Sequence, residues 1–164
     1  MKKRSKLGQA GLDVLSFVVI LFFISVLSLI AVKIWNGLDN TFQSTTSLPA
    51  ESKTASSTAA SNIPEGLDFG IVVGLGLLYI GLYVTTRNIG TDPNFFFINV
   101  CLLILVLGFS AILSNTYEGT NISEFTIERA SMPASVYIGS HLLEFSIGAV
   151  AIVLIGLFAK PGGT

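Results

Sequence analysis

The sequence is short of charge. Only 12% of its 164 residues are Asp, Glu, Lys or Arg, where a soluble domain averages roughly 25%. The net charge is −1, so no basic field marks a nucleic acid as partner. There is one cysteine, Cys101. It excludes an internal disulfide and a multi-cysteine metal site, and it reads as a small apolar filler. There is one histidine, His141. No Ser-His-Asp pattern, phosphate-binding loop or metalloprotease helix is present. The chain is therefore expected to be non-enzymatic, with no catalytic residues, no cofactor and no metal.

What is present is length without charge. A bilayer core of about 30 Å needs roughly 20 apolar residues in a helix. Val14 to Val32 is such a run, closed by Lys33 and Trp35, an interfacial cation and aromatic. Its length and its Lys-Ile-Trp end favour an uncleaved anchor over a secretory signal, whose apolar stretch would be about 7–15 residues. Phe69 to Thr86 is a second run, between Asp68 and Arg87. Phe95 to Ser114 is a third, opened by Asp92 as N-cap and Pro93 in the first turn. Phe145 to Ala159 is too short alone, so a fourth helix is expected to begin near Ala134 to Ser140 and to include His141 and Glu144.

Basic flanks set orientation. With the N-terminus inside, the inner flanks hold Lys2, Lys3, Arg4, Lys6, Arg87 and Lys160, and the outer ones Lys33, Lys53 and Arg129. Both termini are thus expected on the cytoplasmic side. Between the first two spans, Ser44 to Ser61 is rich in Ser, Thr and Ala and lacks aromatics. It reads as an irregular outer tether. The expected fold is all-α and polytopic: a basic leader and detached first helix over 1–35, a flexible linker over 36–66, and a three-helix transmembrane bundle over 67–164.

A few residues could carry a role. Gly70 and Gly74 form a GxxxG, and Gly81 lies on a similar face. Such glycines let another backbone approach in lipid, either within the chain or between copies. Asn99 can hydrogen-bond between helices and fix their register. His141 and Glu144, three apart, share a helix face. At 1.5 Å per residue from Lys160, Glu144 lies about 24 Å above the inner boundary. An ionisable residue at that depth suggests a proton or cation relay. The alternative is a structural Glu144, packed toward the third span and hydrogen-bonded to a neighbour such as Asn99. Asn121-Ile122-Ser123 is a glycosylation sequon.

Two resemblances follow. Lys2-Lys3-Arg4-Ser5-Lys6-Leu7-Gly8-Gln9-Ala10-Gly11-Leu12-Asp13, with the apolar run after it, resembles an archaeal class III signal sequence of the type IV pilin-like kind. That resemblance implies cleavage after Gly8, a mature start at Gln9 and an acid at the fifth mature position, Asp13. A pilin has one span and then a large outer domain, whereas here three more spans follow. Elsewhere, Asp92-Pro93-Asn94-Phe95-Phe96-Phe97, Asn115-Thr116-Tyr117-Glu118 and His141-Leu142-Leu143-Glu144-Phe145 resemble segments of small four-span membrane proteins of archaea and of tailless, membrane-containing viruses. That group carries no assigned chemistry. The resemblance implies a structural or assembly component of an envelope or virion membrane, with lipid and protein, or a second copy through the glycine face, as partners. The alternatives are a small channel or proton-coupled carrier using Glu144 and His141, and a pilin-like subunit processed at Gly8-Gln9.

Overall fold

The computed structural model describes residues 9–87, 93–119 and 123–158. They are almost wholly helical, with no strand among them: α1 (Gln9–Ser44), α2 (Ala50–Arg87), α3 (Pro93–Gly119), a 3₁₀ turn (Ser123–Phe125), α4 (Thr126–Ser131), α5 (Pro133–Ser140) and α6 (Leu142–Phe158). Three helices, α1, α2 and α3, are long and apolar enough to cross a membrane. They become four if α5 and α6 count as one broken span. Gly8 and Asp92 lie outside the described residues, as does the Asn121 of the sequon.

The first helix is not detached. α1 packs against α2 and α3 most extensively, and also touches α4, α5 and α6. Its buried positions Val14, Val18, Leu21, Ser25, Leu29 and Val32 recur every three or four residues, the spacing of one helix face. That face is hidden in the sequence because many outward positions of α1, such as Ile20, Phe23 and Leu27, are as apolar as the packed ones, so no polar stripe contrasts with it.

The linker is also helical rather than irregular. α1 runs on to Ser44, and α2 begins at Ala50. The hydroxyls that lower helix propensity here bond back to the helix's own carbonyls: Thr54 to Ala50 (3.0 Å), Ser57 to Thr54 (3.0 Å) and Ser61 to Thr58 (2.9 Å). Two reciprocal bonds then tie the hairpin. Gln43 donates from Nε2 to the Lys53 carbonyl (2.8 Å), and Lys53 donates from Nζ to the Gln43 carbonyl (2.9 Å). Pro64, which has no N–H to offer the preceding turn, is buried within α2.

The fourth apolar segment breaks. α5 and α6 meet at His141 with a bend of 73°. The expected continuous helix through His141 and Glu144 is therefore two helices. α6, at 17 residues, is about 25 Å long, while α5 packs against α1, α2 and α3.

Candidate functional site

The polar contacts concentrate at the end of the bundle nearest the α1–α2 hairpin. α5 starts with Pro133, which needs no N–H partner at the first helical position. The next two amides do. Asp68, from α2, supplies both acceptors: Oδ2 receives the Ala134 N–H (3.0 Å), and Oδ1 receives the Ser135 N–H (2.6 Å) and its hydroxyl (2.6 Å). A carboxylate suits a helix N-terminus, where unpaired amides and the helix dipole both favour negative charge. This one comes from a different helix, because Met132 at the cap position makes no side-chain bond.

Around this cap, Tyr117 of α3 is fully buried. Its ring lies so close to Gly139 of α5 that a Cβ there would fall 2.5 Å from Cζ. The Arg129 guanidinium stands 5.3 Å from the same ring's centre. The Ser114 hydroxyl donates to the Ser140 carbonyl at the end of α5, one of the carbonyls left open by the helix break. Lys33 Nζ reaches Glu124 (3.4 Å) and sits 4.4 Å from the Phe125 ring centre. Both partners of that ion pair are exposed, so it contributes on the order of 0–1 kcal/mol.

Deeper in the bundle, α6 packs through small residues. A Cβ at Gly148 would meet Tyr79 Oη at 3.0 Å, and one at Gly156 would meet Thr86 at 3.2 Å. The Tyr79 hydroxyl donates to the Phe145 carbonyl (2.7 Å), and its ring lies 4.9 Å from that of Phe17. Ser146 Oγ lies 2.7 Å from Ser110 Oγ, which donates in turn to the Val106 carbonyl (2.7 Å).

The glycines singled out in the sequence behave differently. At Gly70, Gly74 and Gly81 an added Cβ would meet nothing within 4 Å. No described residue occupies the space a side chain would take there, whereas the contacts with α6 are made by its own glycines and by Tyr79 and Thr86. Gly66 is equally open and extends the motif to Gly66-x₃-Gly70-x₃-Gly74. These glycines floor a groove between α1 and α2. One hollow of about 470 Å³ is lined by Phe17, Ile20, Gly74, Gly81 and Thr85, with Asp13 and Ser16 among its residues. A second, of about 190 Å³, includes Leu21, Gly66, Gly70 and Leu75.

The remaining candidates are scattered. Gln9 opens α1. Asp13 Oδ2 is buried with no hydrogen-bond partner among the described residues. Asn99 is buried on α3. Glu144 is exposed near the start of α6, so it does not pack toward the third span or Asn99. His141 donates from Nδ1 to the Tyr137 carbonyl (2.9 Å) and stacks on the Tyr137 ring at 4.1 Å. Cys101 is exposed.

Compared with known protein families, curated proteins and solved structures, the chain matches none.

The chemistry open to it must come from the geometry. No group of three or more His, Cys, Asp or Glu able to hold a metal occurs among the described residues. The polar side chains at the hairpin end satisfy helix termini, and the groove offers apolar surface. Sequence reading missed Asp68, Tyr117 and Gly139. The one available signal was an acid at the edge of a span, which marks a boundary as readily as a cap.

Proposed function

We propose that this chain is a multi-pass integral membrane protein with both termini cytoplasmic, acting as a non-enzymatic structural or assembly component of a larger membrane complex in a cell envelope or virion membrane. The observation that carries the reading is the open glycine face of α2. Gly66, Gly70, Gly74 and Gly81 leave backbone exposed along an apolar groove. In lipid, where the hydrophobic effect does not drive helices together, such small-residue faces are where helices associate. The long apolar helices and the basic bias of the inner flanks support the membrane placement.

The carrier alternative draws no support from the arrangement of its two residues. Glu144 is exposed, and His141 is engaged with Tyr137 at the end of α5. The test is chemical crosslinking in native membranes followed by mass measurement of the solubilised complex. The expected result is a species larger than the 17.4 kDa chain, with no proton or cation flux when the purified protein is placed in liposomes. A flux abolished by Glu144→Gln would overturn the reading in favour of the carrier. Intact-mass analysis of the native protein tests the proposed processing at Gly8-Gln9. A chain retaining Lys2 to Gly8 rules it out.

A further inference from the structure

We propose that the inner half of the α1/α2 groove holds one membrane lipid whose head carries a primary ammonium group. The inference rests on the membrane reading above. It leaves Gly66 and Gly70, in the second hollow, to a partner helix. What carries it is a carboxylate without a counter-charge. Asp13 is partly exposed and lines the hollow of about 470 Å³. Among the described residues its Oδ2, which is buried, has no hydrogen-bond partner, and the one ion pair is Lys33 with Glu124. With the N-terminus inside, Asp13 stands at the inner edge of the hydrocarbon, directly before the uncharged run. A carboxylate there is costly unless paired, and the dipole of α1 offsets only part of that cost. The packed side of the residue offers no partner, so the counter-charge comes from the groove.

The rest of the lining sets the remaining requirements. α1 and α2 form a hairpin and run antiparallel, so Asp13, Ser16 and Thr85 gather at one end of the hollow, and Ile24 and Gly74 at the other. Thr85 gives its own proton to the Leu82 carbonyl (3.0 Å), so its hydroxyl oxygen meets a ligand as an acceptor. The polar end thus asks for positive charge with several N–H donors. A primary ammonium has three, as in lysine; a trimethylammonium has none. Past Ser16 the lining is apolar, through Phe17, Ile20, Leu77 and Leu78. From Asp13 to Ile24 is about 17 Å at 1.5 Å per residue. A free amine leaves that length unfilled, whereas a lipid fills it with an acyl chain from the surrounding bilayer. The lipid phosphate has a counter-charge at the same end in Arg87, exposed at the close of α2 and two residues beyond Thr85.

Native mass spectrometry of the full chain in detergent tests the site. The protein is offered equal amounts of phosphatidylethanolamine, phosphatidylcholine and phosphatidylglycerol with identical acyl chains. One phosphatidylethanolamine per chain is expected, retained about tenfold over either competitor, the worth of one hydrogen bond to a charged group. Asp13→Asn should bring the three lipids to parity, and Asp13→Glu should restore the preference. Helical content and melting should not change in Asp13→Asn, because the buried oxygen it alters makes no bond within the described chain. Gly81→Leu, which projects into the hollow, should lower retention of all three lipids. No head preference in wild type, a preference for phosphatidylglycerol, or a preference that survives Asp13→Asn each overturns the proposal. So does a dimer that carries no lipid. Release of the chain from vesicles by an alkaline wash instead refutes the membrane reading beneath it.

Discussion

The chain has two kinds of helix-surface glycine, and they do opposite work. Gly11, Gly139, Gly148 and Gly156 are closed: Leu102, Tyr117, Tyr79 and Thr86 occupy the space where a side chain would go. Gly66, Gly70, Gly74 and Gly81 are open, as are Gly37, Gly76, Gly108 and Gly119 elsewhere. A closed glycine is part of how the monomer packs. An open one costs the helix about 1 kcal/mol relative to Ala and returns nothing to the monomer. Four of them along one groove make sense as a surface kept clear for something else.

Substitution should separate the two kinds sharply. The largest effect is expected at Gly139→Ala, whose methyl would fall 2.5–2.8 Å from three ring atoms of a fully buried tyrosine. Overpacking of this sort costs about 1–3 kcal/mol. Thermal unfolding in detergent should show it, and Tyr117→Leu in the same chain should recover part of the loss. If Gly139→Ala melts like wild type, the closed class is not structural.

Next comes Asp68→Ala, which strips the first turn of α5 of three bonds. Loss of a cap costs about 0.5–2 kcal/mol. Hydrogen exchange at Ala134 and Ser135 should accelerate, while amides in the middle of α3 should not. Asp68→Asn, which keeps an acceptor oxygen, should be milder.

A smaller loss is expected at Gly148→Ala. Its neighbour is a hydroxyl at the far end of a side chain, 3.0 Å from the new methyl. Tyr79 can swing away and give up its bond to the Phe145 carbonyl, at about 0.5–1.5 kcal/mol. Tyr79→Phe should reproduce most of that loss, and the double variant should add little to it.

The smallest effect on the monomer is expected at Gly70→Ala and Gly74→Ala. Under conditions that keep the chain monomeric, both should be neutral or stabilising by up to about 1 kcal/mol through helix propensity. Denaturation of the monomer that shows a loss of more than about 1 kcal/mol at either position would erase the distinction between open and closed.

The sequence shows neither class for what it is. Gly70 and Gly74 stand out by their spacing, while Gly139 and Gly156 do not. Yet the closed class is defined by rings and side chains from other helices, more than twenty residues away in the case of Tyr117. The positions of the first three long apolar helices are legible, because each shows in the sequence as a long run without charge. Their mutual packing is not, because a helix that is apolar all round hides its buried side. The Ser44 to Ser61 stretch reads as irregular from composition, since hydroxyls compete for backbone bonds. In the structure those same hydroxyls are absorbed by the helix's own carbonyls. The break at His141 leaves no proline or glycine at the bend itself. The Ser140 carbonyl at the break is taken by Ser114, a donor that α5 does not contain.

The acceptor that α5 borrows at its start, Asp68, also sets an order in time. Asp68 and the amides it satisfies are 66 and 67 positions apart. While the chain is being made, α2 is complete long before Ser135 exists, and the carboxylate waits at the edge of its helix with nothing to accept. When α5 emerges, its first turn has no internal cap, so it gains most by forming against the finished α2. The last quarter of the protein thus cannot settle independently of the first half. A chain stopped after α3 lacks the short helix through which Asp68, Tyr117 and Ser114 are tied together.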